Sequence, residues 1–265
     1  DLELILHPMA EEGKEASGSM GDDTPVAVLS SHFRPVSHYF RQNFSQVTNP
    51  PIDSLRENKV MSLKTRFGNL GNILDFDNLT EENIFVLDSP VLTNSQFNKF
   101  KKFFSKKTKI IDCTFDISSS LKDRLEAIRV EAETSVREGS TCLILSDKSI
   151  TNQRASIPSI LTVGAIHSYL VKQGLRGYCS LNVECSDAMD THSFAVLIGV
   201  GATTVNPYLA IDSIYHRYEK KLFGKSNFEN CVQKFKKSID AGLLKIMSKM
   251  GISVISSYRG GCNFE

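Results

Sequence analysis

The central part of the chain alternates short apolar runs with longer segments in which apolar residues recur every three or four positions. The short runs have the length of buried strands, and the longer segments have the periodicity of helices that cover a sheet. Strands and helices in this order are typical of consecutive βαβ units with parallel strands. The predicted strands are 141–145, 178–185 and 202–205, and the predicted helices are 159–172 and 187–198.

The same alternation extends in both directions along the chain. Thr93 and Gln96 have the spacing of a capping box, and Ser120 precedes a long apolar stripe, so a helix is predicted after each of Thr93 and Ser120. A further amphipathic helix is predicted from Phe228 to Gly251, after a polar, basic insertion at 215–227. Six strands are predicted in all, beginning near residues 84, 109, 141, 178, 202 and 252, the second of them covering 109–115.

Six parallel strands with right-handed crossovers can form an open doubly wound sheet or part of a barrel. Each predicted helix follows its strand at a short, regular spacing, so we predict an α/β fold in which parallel βα units form an incomplete (β/α)-barrel-like domain. The first part of the chain is irregular, with a strand at 26–29, a helix after Pro35 and an extended segment at 60–63. We therefore predict a connector and small subdomain at 1–83 and a βα-repeat subdomain at 84–265, together one domain.

Charge and cysteine content exclude several classes of function. The chain has 31 Lys plus Arg against 30 Asp plus Glu, a balance that argues against non-specific binding of nucleic acid. It contains no apolar run long enough to span a membrane and no signal sequence, so we expect a soluble protein. None of its six cysteines forms a C-x-x-C pair, and we expect them to be reduced, buried and structural rather than metal ligands.

Polar residues follow the predicted strands at the positions where (β/α) enzymes carry their active groups. Asp147 and Glu184 could act as an acid and a base, although such residues more often cap the next helix or hold a loop. His167 and His192 lie among apolar helix positions and are interpreted as core or interface histidines. The candidate positions are 88–90, 116, 146–148, 184–187, 206–207 and 256–259.

Two other segments have a functional and an ordinary interpretation. The glycine-rich stretch at 9–25 lacks the lysine of a phosphate-binding loop and is interpreted as a connector. Lysines and phenylalanines alternate at 97–109, which at helical spacing indicates a buried phenylalanine face and a solvated lysine face. The residue pattern alone thus predicts an α/β domain without a recognisable catalytic constellation.

Long blocks of the sequence, in order along the chain, match the pattern of a known family. The blocks include HPMA at 7–10, GKEASGSMGDDTP at 13–25, QVTNPPID at 46–53, IPSIL at 157–161, NPYLA at 206–210, MSKMGIS at 247–253 and SYRG at 257–260. They closely resemble the central domain of the large subunit of glutamate synthase. The resemblance spans the chain from end to end, and the opening Asp1 without methionine then indicates an excised piece of a longer protein.

The resemblance implies a multidomain iron-sulfur flavoprotein that converts glutamine, 2-oxoglutarate and reductant into two glutamates. An amidotransferase domain with an N-terminal cysteine nucleophile would release ammonia, and an FMN-bearing barrel would use it. The central domain would join these two partners, carry no catalytic, cofactor or metal site, and help to form the ammonia tunnel. A small electron-donating subunit or domain is a further implied partner, with nucleic acid and membrane excluded and a cytoplasmic or organellar location expected.

Within this family the interface or channel candidates are Gly21, Asp22, Asp23 and Thr24 in the glycine-rich loop, together with Asn206 and Tyr208. Two alternatives stay open from the residues alone. One is a free-standing flavin- or phosphate-binding barrel, and the other is an interaction module working through the 99–109 face.

The chain departs from the family pattern at several loop and helix positions. Val200 stands where Tyr is usual, Ser193 where His is usual, and Met189 where Arg is usual. Gly261 and Cys262 replace an Ala-Gln pair. The loss of Arg and Gln removes polar groups at these loop positions, whereas the predicted fold does not depend on them.

Overall fold

A computed structural model describes residues 2–16, 29–31, 33–43, 51–53, 55–67 and 85–265. Several predicted features therefore lie outside the described residues. They are the boundary at 68–83, the candidates Gly21, Asp22, Asp23 and Thr24, and the predicted strand 26–29 except for residue 29. The domain division at 83/84 stays a prediction.

The helices of the described residues are α1 (His7–Glu12), α2 (Glu57–Val60), α3 (Asn94–Phe103), α4 (Leu121–Arg137), α5 (Ser159–Lys172), α6 (Thr191–Gly199), α7 (Tyr208–Glu219), α8 (Phe228–Lys249) and α9 (Ile255–Tyr258). The strands are β1 (Thr65–Phe67), β2 (Phe85–Leu87), β3 (Thr108–Asp112), β4 (Thr114–Asp116), β5 (Cys142–Ser146), β6 (Arg154–Ser156), β7 (Ser180–Glu184) and β8 (Thr204–Asn206). A π-helical turn, Leu2–Leu6, runs into α1, and 3-10 turns occupy Val36–Tyr39, Ser105–Lys107 and Arg176–Tyr178.

A four-stranded parallel sheet in the order β3-β5-β7-β8 forms the centre of the molecule. Its register pairs Ile111 with Leu145, Leu145 with Val183, and Val183 with Val205. All five residues of β5 are buried, as expected for a parallel strand covered on both faces. The α/β class with parallel βα units is confirmed, and no closed barrel is formed by the residues that the structure describes.

The two faces of the sheet pack against different helices. Side chains alternate along a strand, so Leu143 and Leu145 lie on one face of β5 and pack in the main core with residues of α4 and α5. Cys142 and Ile144 lie on the other face of β5, in a second buried cluster. On that side α3 inserts Phe97 and Phe100, in the position that the interior of a complete barrel would occupy.

Local helix signals were accurate. Thr93 accepts a hydrogen bond from the backbone of Gln96 while the Gln96 side chain accepts one from Thr93, which confirms the capping box. Ser120 caps α4 through the backbone amide of Asp123. Gly174, after the end of α5, has a φ of 70°, a conformation that favours glycine.

The prediction of six parallel strands was wrong at both ends. The first predicted strand, near residue 84, forms β2, which pairs antiparallel with β1. Residues 90–92, which follow β2, lie beside β8 in the parallel sheet instead. The last run makes a single bridge from Val254 to Ser62 and then becomes α9. The predicted strand 109–115 is two strands, β3 and β4, and β4 pairs antiparallel with β6. These partners are distant in sequence, so local pattern could not identify them.

Three smaller expectations also differ from the structure. The predicted insertion at 215–227 begins inside α7, and α6 begins at Thr191 because Asp190 is its N-cap. Five cysteines are free and buried as expected, but Cys262 is exposed.

None of the described helices is long and apolar enough to cross a membrane.

The phenylalanine cluster under α3 yields a first prediction. Phe100 is 1% exposed, so Phe100→Ala should lower the free energy of unfolding by about 3 kcal/mol, from lost burial and the cavity left behind. Phe103, on the same helix, is 63% exposed and supplies the matched control: Phe103→Ala should cost under about 1 kcal/mol. Urea denaturation measures both, and equal losses would contradict the packing described for α3.

Candidate functional site

The carboxyl edge of the parallel sheet places three polar side chains in one row. Ser146, Glu184 and Asn206 are the last residues of β5, β7 and β8, and the register sets them side by side. All three are buried. This is the edge at which enzymes with parallel βα units carry their active groups.

Glu184 is a buried carboxylate with three donors. Its Oε1 accepts hydrogen bonds from Lys101 Nζ at 2.7 Å and lies 3.0 Å from Lys148 Nζ, and its Oε2 accepts from Ser146 Oγ at 2.7 Å. Burial raises the pKa of Glu184, but the bonds from Lys101, Ser146 and Lys148 outweigh it and leave the pKa below its usual value. Glu184 is therefore ionised and paired at neutral pH.

Asp147, directly after β5, is also buried but has a different environment. Its Oδ2 accepts from the backbone amide of Ser186 at 3.0 Å and from the Ser186 hydroxyl at 2.6 Å. Burial raises its pKa, and its Oδ1 has no hydrogen-bond partner among the described residues. The Asp147 amide bonds to the carbonyl of Glu184 at 3.3 Å, so the two predicted carboxylates are neighbours with separate sets of partners.

Asn206 and Tyr208 extend the same edge. The Asn206 amide group donates to the carbonyl of Leu92 at 2.9 Å and to Asn94 Oδ1 at 3.0 Å, which fixes the start of α3. The Tyr208 ring lies 4.9 Å from Lys148 Nζ, and burial followed by the charge of Asp147 raises the pKa of the Tyr208 phenol. Both residues support the edge from within the domain.

Little enclosed space lies between Asp147 and Glu184. The cavity bordered by Asp147, Glu184 and Ser159 has a volume of about 10 Å³, which is close to the minimum for one water molecule. Ligand sites in proteins are of the order of several hundred Å³. The arrangement can hold loops and strand ends together, and the enclosed space between these described residues is too small for a substrate or a flavin.

The other predicted carboxylates serve as helix caps or turn residues. Asp187 accepts from the amide of Ser159 at 2.9 Å and from its hydroxyl at 2.6 Å, at the start of α5. Asp116 accepts from the amide and hydroxyl of Ser118. At the predicted position 88–90, Ser89 donates to Asp240 on α8 at 2.5 Å. These contacts agree with the expectation that polar residues after the strands cap helices or hold loops.

A separate cavity of about 420 Å³ lies between the Val36–Tyr39 turn and the start of α6. Its polar lining residues are Ser37, His38, Ser156, Ser186, Asp187, Asp190 and Ser193, and the others are apolar. Asp190 accepts from the Ser193 amide at 2.9 Å, and its Oδ2 lies 3.7 Å from His38 Nε2. Burial raises the pKa of Asp190, but the nearby His38 and the hydrogen bonds from Ser193 outweigh it and lower the pKa to about 2.

The two predicted core or interface histidines are both partnered. His192 Nε2 lies 2.9 Å from the carbonyl of Ser37, and His167 Nδ1 accepts from Arg176 Nε at 3.1 Å. Within the described ranges, no three His, Cys, Asp or Glu side chains come together as a potential metal site.

Two residues of the structure contradict the sequence interpretation. Lys101 was predicted on a solvated face, but its side chain is largely buried against Glu184 and stacks on Phe97 at 4.8 Å. Arg259 was predicted beyond the carboxyl end of a strand, but it lies at the amino end of the sheet with Thr141 and Ser180. In each case the residue's surroundings depend on contacts between distant parts of the chain.

Parallel strands, covering helices and a carboxyl edge occupied by internal ion pairs define an α/β domain of the βα-repeat class. The family described as the glutamate synthase central domain matches residues 1–265, the whole chain. The chain belongs to this family.

Similar proteins agree with this assignment. The chain is 58% identical over its full length to the NADPH glutamate synthase large chain of Azospirillum brasilense, of which it spans 18%. It is 41% identical to the NADPH enzyme's large chain from Bacillus subtilis, spanning 17%, and 40% identical to the ferredoxin-dependent glutamate synthase of Pyropia yezoensis, spanning 18%. In every case the whole of this chain is covered, so it corresponds to less than a fifth of each relative.

Among solved structures, the recombinant flavin-binding domain of baker's yeast flavocytochrome b2 matches with a TM-score of 0.39 and 14% identity. The match covers 75% of this chain and 53% of that one. A likeness at this level supports no conclusion about function.

The buried ion pairs of Glu184 yield a prediction about stability. Glu184→Gln leaves Lys101 without its counter-charge in a largely buried position and should lower the free energy of unfolding by about 3 kcal/mol. The matched control is Glu131→Gln, which breaks the more exposed pair with Lys109 at 3.3 Å and should cost under about 1 kcal/mol. Chemical denaturation measures both losses. If Glu184→Gln lowered the free energy of unfolding no more than Glu131→Gln, the buried ion pair of Glu184 and Lys101 would be refuted.

Asp190 yields a prediction about pH. Its pKa is depressed in the folded chain, so its contribution is complete well above the ordinary value of 3.8 and is lost as the pH falls towards 2. Asp190→Asn should therefore cost about 2 kcal/mol at pH 7 and about half of that at pH 3. Unfolding measured at both pH values tests this, and a loss independent of pH would mean that the charge of Asp190 is not what stabilises the cap.

Proposed function

We propose that this chain is the non-catalytic central domain of a glutamate synthase, joining a glutamine amidotransferase domain to an FMN-bearing synthase domain. The longer protein would convert glutamine, 2-oxoglutarate and reductant into two glutamates, in the cytoplasm or in an organelle. Membership of the family and the names of the relatives support this proposal.

The occupied carboxyl edge is the observation that carries the non-catalytic part of the proposal. Glu184 has three donors, Asp147 is bonded to Ser186, and the enclosed cavity is about 10 Å³. An acid-base pair needs access to a substrate proton within hydrogen-bond distance. Among the described residues, the space bordered by both carboxylates holds about one water molecule, and the larger cavity of about 420 Å³ borders Ser186 and Asp187 but neither Asp147 nor Glu184.

The same edge does not fit the phosphate of a flavin. A phosphate site supplies backbone amides and cations to the ligand, but here the lysines are already bound to Glu184 and the neighbouring group is a second carboxylate, Asp147. We therefore assign FMN and the iron-sulfur cluster to other parts of the longer protein. Its electron donor is a separate matter, because relatives named for NADPH and for ferredoxin both match this chain over its full length.

A domain of this kind can assist ammonia transfer by excluding water. Ammonia released into bulk water at neutral pH becomes protonated and is lost as a nucleophile, so a tightly packed wall between two active sites increases the yield of transfer. The rigid edge held by Asn206, Glu184 and Ser146 supplies such a wall without a reactive side chain. The loop containing Gly21, Asp22, Asp23 and Thr24 is proposed to contact a neighbouring domain, and Tyr208 remains a candidate for the same role.

The interface role of the loop can be tested in the full-length enzyme. If the loop seals a domain interface, replacing both Asp22 and Asp23 with alanine should lower glutamine-dependent turnover about tenfold relative to ammonia-dependent turnover. Steady-state rates with glutamine and with added ammonia give this ratio.

The control replaces two exposed glutamates of α4 and its end, Glu126 and Glu138, with alanine and should leave the ratio unchanged. An unchanged ratio in the Asp22 and Asp23 variant would remove the loop from the proposed interface. Flavin absorbance or turnover retained by the isolated residues 1–265 would instead contradict the non-catalytic assignment itself.

A further inference from the structure

The amino end of the parallel sheet contains a large cavity, of about 780 Å³. Its wall includes residues at or next to the starts of three strands, namely Thr141, Ser180 and Thr203, and it also includes Arg176 and Arg259. Its volume is in the range of small-molecule sites. It lies at the opposite end of the strands from Glu184.

The charge of this cavity has one sign. None of its described lining residues is an Asp or a Glu, although the whole chain has nearly equal numbers of acids and bases. A concave wall lined by one sign of charge concentrates counter-ions. The five cationic residues of the wall are Arg66, Lys106, Lys107, Arg176 and Arg259.

Arg176 is held in place by neutral groups. Its Nη1 donates to the carbonyl of Cys179 at 2.6 Å, its Nη2 to that of Gly201 at 2.8 Å, and its Nε to His167. These acceptors orient the guanidinium without neutralising it. Burial lowers the pKa of Arg176, as expected for a cation without a carboxylate beside it.

Arg259 has fewer partners still. Its Nε and Nη2 atoms are buried and have no hydrogen-bond partner in the part of the chain that the structure describes. Burial, and then the charge of Arg176, lower the pKa of Arg259 to about 10. Buried donors without acceptors destabilise a fold, and two neighbouring buried cations add repulsion.

The other titratable groups around Arg259 do not supply the missing negative charge. Burial and the charge of Arg176 lower the pKa of His167, and burial raises that of Cys179, so both are neutral at pH 7. Gly260, next in the chain, lies against His167 so closely that an added Cβ would be 2.9 Å from its ring. This contact helps to hold Arg259 in position.

We propose that this cavity is a carboxylate-binding site, in which Arg259 and Arg176, neither of them paired with a described acid, attract the carboxylate together with the other cations of the wall. A guanidinium binds a carboxylate through charge-assisted hydrogen bonds. Phe103 and Tyr178 line the same cavity and are mostly exposed, so the ligand has an apolar stem or body behind its charged group. The carboxylate comes either from a free dicarboxylate or from an acidic side chain elsewhere in the longer protein.

The test uses the full-length protein with Arg259→Met, Arg259→Lys and the control Arg129→Met. Arg129 is a partly exposed cation of α4 outside the cavity. Thermal midpoints are measured at pH 7 and pH 4, in chloride and in sodium succinate at equal ionic strength. If a free carboxylate fills the site, succinate raises the wild-type midpoint by about 2 °C or more. That rise is lost in Arg259→Met, kept in Arg129→Met and partly kept in Arg259→Lys.

If an acidic side chain of the longer protein fills the site, the pattern differs. Succinate then has no effect, and Arg259→Met lowers the midpoint at pH 7 but much less at pH 4, where the carboxylate is partly protonated. Three outcomes overturn the proposal: a midpoint that is unchanged or higher in Arg259→Met under all conditions, a loss that is independent of both pH and succinate, or an equal succinate effect in every variant. The first would mean that the buried cation is unpaired, the second that it only packs, and the third that succinate acts as a general salt.

Discussion

The buried carboxylate of Glu184 is the interaction on which the rest of the sheet depends. Removing a carboxylate from water costs several kcal/mol, and here Lys101, Lys148 and Ser146 offset that cost. These donors come from α3, from the loop after β5 and from the end of β5. One charged group thus fixes the positions of a helix, a loop and two neighbouring strands.

The position of α3 follows from this constraint. Lys101 can reach Glu184 because α3 covers the face of the sheet that carries Cys142 and Ile144, and the same placement buries Phe97 and Phe100. The helix therefore occupies the volume in which a complete barrel would have its interior. At the first strand of the sheet this cover ends, and Ile110 is 54% exposed on the same face.

The two ends of the strands have opposite electrostatic character. At the carboxyl end, Glu184 is paired with Lys101 and Lys148, and the cavity beside it is about 10 Å³. At the amino end, the described lining of the cavity holds cations alone. Such a separation is not visible in a net charge of +1, because that number is a sum over the whole chain.

Local signals in the sequence predicted local structure well. The bounds of α5 and the caps at Thr93 and Ser120 were correct, because periodicity and capping involve residues within one or two turns. Strand partners were less accessible, since pairing of β2 with β1 depends on tertiary contacts. Lys101 and Glu184 are 83 residues apart, so their ion pair had no sequence signature. Arg259 was placed at the wrong end of the sheet because the apolar run before it was interpreted as a strand.

The bridge between Val91 and Val205 has a consequence for the order of folding. Residues 90–92 precede the whole parallel sheet in the chain, yet they complete it at the β8 edge, and Asn206 bonds to Leu92 across 114 residues. During synthesis this edge stays unpaired until residue 206 has left the ribosome. Residues 90–92 therefore pair only after β8 has been synthesised, so this edge of the sheet forms late and through a long-range contact.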